Sequence, residues 1–257
     1  MFLKFYRSLS FFHLLVMAFA ITLTGAKGQT SGAQSLSQLQ KKEIELLIKE
    51  YILKHPEIIL ESVQRHQIKG ETTKKKQAEK QLIELRPQLI SDPQSPVSGN
   101  PKGDVTIVEF VDYRCGYCKR VHPAIKKLLK DDRAIRYVIK DFPILGPQSE
   151  IASRAALAIW HMFPEKHQAY HDEMMSIRGT IDEESVVSKA KMLGIDTKLL
   201  KKAMADKHID SLLAKNFSLA KALNINGTPA FIIGDQIVPG AVDLSTLKKL
   251  VAEARKK

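Results

Sequence analysis

The chain has 257 residues, a formal net charge of +12 at pH 7 and only two cysteines. Its length suits one large domain or a domain with an appendage. The basic excess is scattered, with Lys74-Lys75-Lys76 its only lysine triple and no aromatic residues interleaved, which excludes a nucleic-acid interface and leaves a solvated basic surface.

Residues 1–26 have the pattern of a secretory signal. Lys4 and Arg7 form a positive start, Phe11 to Thr24 is a short apolar run, and Thr24-Gly25-Ala26 offers small residues for cleavage before Lys27. The run is too short for a comfortable membrane span, although an uncleaved anchor is the alternative. No cysteine closes it, so lipid attachment at an N-terminal cysteine is excluded. The processed protein is expected in an oxidising compartment.

Residues 27–90 form an arm predicted to be helical. Ile44, Leu47, Ile48, Tyr51 and Ile52 fall at i, i+3, i+4, i+7 and i+8, one face of a helix. Pro56 suits the first turn of a continuation carrying Ile58, Ile59, Leu60 and Val63. A second helix is expected from Lys74 to Leu85, stopping at Pro87. The apolar stripe either folds onto the main domain or, the favoured reading, drives self-association. Residues 91–104, rich in Pro, Gly and Ser, are read as a linker.

Val105 to Val111 is β-branched and apolar enough for a buried strand. Cys115-Gly116-Tyr117-Cys118 follows, and then a run from Lys119 to Lys130 with Val121, Ile125, Leu128 and Leu129 at helical spacing. A Cys-x-x-Cys pair that ends a strand and opens a helix can cycle between dithiol and disulfide. Cys115 sits where orphan N–H groups and the helix dipole favour a thiolate, while Cys118 is nearly a turn further in and expected to be shielded. Zinc would need two more ligands, and none lies close in sequence. A purely structural disulfide closing so short a loop would constrain little. The redox-active pair is therefore expected to be the only active group, with no other cofactor and no metal. Pro123 is expected to kink the helix, and His122 to lie on the surface.

Ala134 to Phe142 reads as a second strand, ended by Pro143 and Gly146-Pro147. From there to about residue 222 the pattern is mostly helical, with helices expected around Ile151–Ile159, Val186–Leu193, Leu199–Met204 and Ile209–Leu223. His161, Met162, His167, His171, Met174 and Met175 cluster in this stretch. Soft metal binding is one reading, but methionines in the core and histidines facing solvent is the favoured one. Gly227 to Gly234 is a short strand beginning at a proline, Gly234-Asp235 a hairpin turn, Gln236 to Val238 its partner, and Leu244 to Ala254 a closing helix. The order is that of an α/β thioredoxin fold, 105–257, with a helical insertion at about 147–222 and an N-terminal α-helical arm before it.

Phe110 to Lys119 and Gly227-Thr228-Pro229-Ala230, with Phe142 to Ser149 and Val97 to Asp104, resemble the DsbA family of exported thiol–disulfide oxidoreductases, in the DsbA-like branch with the ScsC-type proteins. The resemblance covers about 90–257, and the arm is similar to N-terminal oligomerisation segments of that branch. It implies a periplasmic enzyme that forms or isomerises disulfides in unfolded or misfolded cysteine-containing exported proteins. Surface or membrane association is the alternative location. It also implies a membrane redox partner and a homo-dimer or homo-trimer. It gives Cys115 and Cys118 the redox roles, with Gly116 and Tyr117 contacting substrate beside them. Thr228-Pro229 becomes the cis-proline segment that holds extended substrate, and Glu109 a buried proton relay for Cys118. An exposed strand residue is the alternative for Glu109. The best-known family member has Pro-His between its cysteines. Neutral Tyr117 in that place implies a less oxidising pair. A different class of function, a chaperone-like or surface interaction protein with incidental cysteines, with or without a bound metal, is favoured only by the arm's stripe.

Overall fold

The computed structural model describes residues 36–256, so the expected signal at 1–26 lies outside the described residues. The chain divides into two compact units after Leu60. In the first, α1 spans Gln38–Lys54 and is opened by a reciprocal cap between Ser37 and Gln40. None of its residues is buried, and Leu47, Tyr51 and Leu53 are each more than half exposed.

The helix α2, Pro56–Ile90, is continuous where two helices and a stop at Pro87 were expected. Pro87 lies in the last turn, where it removes one N–H donor to the preceding turn. Two cations then hold the end of the helix: Arg136 donates to the Ile90 carbonyl, and Lys140 Nζ to that of Gln88 at 2.8 Å. Leu82 and Leu89 are buried, so the last turns of α2 belong to the core of the second unit.

The stretch expected as a linker also carries structure. Val97–Gly99 forms β1, paired antiparallel with β3, Ile135–Asp141. With β2 (Val105–Val111), β4 (Ala230–Ile233) and β5 (Gln236–Pro239), the sheet runs β1-β3-β2-β4-β5. Only β2 and β3 are parallel. The central strands are buried on both faces, hence their near-continuous apolar sequence.

Period-two alternation assigns the two faces. Ile107, Val111, Tyr137, Ile139 and Phe231 pack with α3 (Gly116–Asp131) and α9 (Leu244–Ala254). Val108, Phe110, Val138 and Ile232 pack with Leu82 and Leu89 of α2 and with α8 (Lys207–Ala222). Helices α4 (Pro147–Met162), α5 (Pro164–Ser176), α6 (Glu183–Met192), α7 (Thr197–Met204) and α8 fill the insertion after β3. The helix α5 falls in the stretch expected to be mostly helical but was given no bounds of its own, because its inward positions are taken by His167, Tyr170, His171, Met174 and Met175, all buried. The architecture is an α/β thioredoxin fold with a helical insertion and N-terminal helices. Among the described residues no helix is long and apolar enough to cross a membrane.

Candidate redox site

The C-terminal end of β2 delivers the cysteine pair. Asp112, fully buried, ties the loop together: its carboxylate accepts from the N–H groups of Arg114 at 2.8 Å, Ile144 at 2.9 Å and Leu145 at 3.0 Å. Its carbonyl accepts from the Cys115 N–H at 3.0 Å. One side chain thus fixes both the turn into α3 and the loop after β3. It was missed in the sequence, although an aspartate three residues before a helix-capping cysteine is an Asx-turn signal.

Cys115 occupies the N-cap of α3, and Cys118 lies one turn inside. Both are free thiols, 6% and 1% exposed respectively. The Cys115 thiol donates to the Thr228 carbonyl at 3.1 Å, across to the cis Thr228-Pro229 bond before β4. That bond is open only to the protonated sulfur and opposes ionisation. The thiolate is favoured more strongly, by the hydrogen bond from the Cys118 thiol first. The Thr228 side chain and the backbone N–H groups of Cys118 and Tyr117 add to it, pulling the Cys115 pKa down to about 5. Burial pushes the Cys118 thiol far the other way, with its bond to Cys115 and the Glu109 carboxyl adding to the shift. Two thiols one turn apart thus differ in kind, one an anion near the surface and the other a buried proton donor to it.

Glu109 is not an exposed strand residue. It is 3% exposed, on the α3 face of β2, and accepts a hydrogen bond from Tyr137 on β3. Burial raises its pKa to about 8, partly offset by the Tyr137 bond and reinforced by the Cys115 charge. Tyr137 was not singled out from sequence. Its signal was register, since β2 and β3 run parallel and both residues fall on the same face. Gly116 and Tyr117 are exposed. A Cβ at Gly116 would meet nothing within 4 Å, and the Arg120 guanidinium lies 4.8 Å from the Tyr117 ring centroid.

The histidines depart from expectation. His122, expected on the surface, is buried and paired with Asp172 at 2.9 Å. His167 and His171 are also buried rather than solvent-facing, and His171 Nδ1 lies 3.0 Å from the Tyr113 hydroxyl. Burial drives the His167 pKa down to about 3, leaving a neutral imidazole. The reason is local: α5 packs between α3, α4 and α6, and its inward positions happen to be histidines. Among the described residues no group of three or more His, Cys, Asp or Glu side chains is placed to hold a metal ion.

A family model described as Thioredoxin matches residues 91–253, and one described as Copper resistance protein ScsC N-terminal domain matches residues 40–71. A thioredoxin-like oxidoreductase from Silicibacter pomeroyi DSS-3 is 41% identical, with 67% of this chain and 98% of that one covered at a TM-score of 0.64. A linker-deletion mutant of Proteus mirabilis ScsC is 30% identical, with 87% and 98% covered at 0.66. The thiol-disulfide exchange protein alpha-DsbA2 from Wolbachia pipientis is 34% identical, with 68% and 95% covered at 0.65. Among curated relatives, the Na(+)/H(+) antiporter NhaA 1 of Salinispora arenicola is 27% identical over 166 residues, 62% of this chain, and the chain spans only 24% of that protein's length. The chain belongs to the thioredoxin family, in the DsbA-like branch that includes the ScsC proteins.

Proposed function

We propose that the protein is an exported thiol–disulfide oxidoreductase acting through Cys115 and Cys118. The observation that carries this reading is the asymmetry of the pair. Cys115 is held as a thiolate beside the Thr228 carbonyl, and Cys118 is buried behind it with a strongly raised pKa.

In the oxidising direction, a substrate thiolate attacks the Cys115 sulfur of the disulfide. The Cys115–Cys118 bond breaks, and its electron pair leaves on Cys118, which needs a proton. Glu109, protonated below pH of about 8, is the nearby acid. A second substrate thiolate then attacks the substrate sulfur of the mixed disulfide and expels Cys115 as a thiolate, a good leaving group at its lowered pKa. The substrate loses two electrons and the protein gains them, so a membrane redox partner is needed to reoxidise the pair. In the isomerising direction, reduced Cys115 attacks a wrong disulfide, and Cys118 releases a stalled substrate.

The exposed stripe of α1 supports assembly of two or three copies through the arm, with the active sites serving misfolded exported chains. The same stripe is the one feature favouring a chaperone-like interaction protein. Reactivation of a scrambled-disulfide substrate separates the two. The full chain should reactivate it and Cys115→Ser should not. A form with Leu47→Glu and Tyr51→Glu should keep peptide oxidation but lose reactivation. Equal activity in Cys115→Ser would overturn the oxidoreductase reading.

A further inference from the structure

Beside the cis-proline segment lies a trough of about 750 Å³ whose far wall is not part of the thioredoxin fold. One side is built from the stretch Leu223–Ala230 and the β4–β5 hairpin. The other is α2, through Glu71, Lys74, Lys75, Ala78 and Glu79. A second hollow of about 470 Å³ shares Lys74, Ala78 and Asn224 with the first and carries the depression on along α2.

Three features of the trough bear on its occupant. Its lining includes Thr228, whose carbonyl lies 3.1 Å from the Cys115 sulfur, so the trough adjoins the residue that touches the reacting atom. Its lining includes apolar Ala78, Ile225, Ala230 and Ile237, against a charged wall that carries Lys74 and Lys75. Neither lysine forms an ion pair or side-chain hydrogen bond among the described residues. It is also bordered by β5, the last strand of the sheet, which has a neighbour on one side only. An extended chain suits all three: its cysteine reaches Cys115, its apolar side chains face the alanines and isoleucines, and its carbonyls meet the lysines.

We propose that this trough holds the stretch of unfolded substrate polypeptide flanking the cysteine joined to Cys115, so that α2 binds substrate through Lys74, Lys75 and Ala78 as well as carrying the arm. The occupant is an extended segment with apolar residues next to its cysteine. This rests on the thiol–disulfide exchange reading, and the test keeps the two apart.

The test uses the full chain with Cys118→Ala, Cys115 loaded as a mixed disulfide with thionitrobenzoate, and a photo-activatable benzophenone amino acid at position 75. A control carries it at position 65, on α2 outside the trough lining. The probe is a peptide of about ten residues, ~33 Å when extended, with one cysteine flanked by leucine and valine. Its thiolate attacks the Cys115 sulfur, the bond to thionitrobenzoate breaks, and coloured thionitrobenzoate anion leaves. Expected is release of thionitrobenzoate followed, on illumination, by a peptide adduct at position 75. That adduct should be lost at position 65 and lost when the peptide cysteine is serine. Release without an adduct at 75, or an adduct only to a second copy of this chain, would overturn the trough's role while leaving the exchange reading intact. No release would overturn the exchange reading and the trough's role with it.

Discussion

Glu109 and Lys140 invite direct comparison. Both are ionisable side chains buried in the central strands, one on each face of the sheet, and Lys140 is paired in register with Phe110, the neighbour of Glu109. Burial pushes both toward neutrality, to a pKa of about 8 in each case. Their partners differ. Lys140 Nζ donates to the Gln88 carbonyl, Ser95 Oγ at 2.6 Å and Asp92 Oδ2 at 3.3 Å, with Lys215 completing the group around Asp92 at 2.9 Å. All three ammonium donors are engaged, and the group ties the end of α2 to β3. Among the described residues Glu109 has one hydrogen-bond donor, Tyr137, and its charge is coupled to the ionisation of Cys115 and Cys118. A buried charge with every partner supplied is a fastener, while one left short of partners near a reactive pair is free to exchange a proton.

The sharpest way to break the comparison is to remove each group in turn. Lys140→Met leaves the buried Asp92 carboxylate with Lys215 as its one cation among the described residues, and frees the Gln88 carbonyl. It should cost about 3 kcal/mol of stability, as breaking buried pairs does, with disulfide transfer per folded molecule unchanged. Denaturant unfolding beside a peptide-oxidation assay checks both halves. Loss of activity without loss of stability would contradict the fastener role.

Glu109→Gln is isosteric and keeps a hydrogen-bond acceptor for Tyr137. It should slow release of the mixed disulfide by Cys118, and its reverse, the opening of the Cys115–Cys118 disulfide by a substrate thiolate, about 10²-fold, the usual scale for losing a positioned acid–base group, and leave the attack of reduced Cys115 on a substrate disulfide unaltered. Stopped-flow kinetics of the two steps reads this. The stability change has a definite sign. A carboxyl whose folded pKa is raised from about 4.5 to about 8 contributes stability below pH of about 4.5 that is lost as pH rises toward 8. The variant should therefore be less disfavoured than the parent at pH 8 relative to pH 4. A variant whose pH dependence matched the parent's would contradict a buried, proton-exchanging Glu109.

Tyr117→His gives the smallest effect. Tyr117 is 58% exposed beneath Arg120 and offers the Cys115 thiolate only a backbone N–H. An imidazolium there should lower the Cys115 pKa by about one unit, which makes the disulfide more oxidising by roughly 30 mV. Equilibration with glutathione measures the shift, and an unchanged potential would show that the side chain at 117 does not reach the sulfur.

The sequence made the redox site largely legible and its surroundings poorly so. Cys115, Cys118, Thr228 and Pro229 are short-range signals: a cysteine pair at a strand–helix junction and a proline opening a strand. Glu109 stood out because a carboxylate inside an apolar strand must face something specific. Tyr137, Lys140 and Asp112 act through residues 28 to 52 positions away in the chain, and only the register of β2 and β3 and the path of α2 bring those partners in. The helix α2 was misread for a related reason. Gly70 and Pro87 are local breakers, but Leu82 and Leu89 in the core and two cations on the last carbonyls outweigh them. The histidines of α5 looked like solvent-facing residues because composition alone cannot reveal which face of a helix is turned inward.

The most direct test of the central claim is the pH dependence of alkylation of the reduced protein by iodoacetamide, with the modified cysteine located by peptide mapping. The account requires a midpoint near pH 5 with the label on Cys115 and none on Cys118 in the folded state. A midpoint near the ordinary thiol value of about 8.5, or label on Cys118, would contradict a thiolate held by its neighbours in front of a more deeply shielded partner.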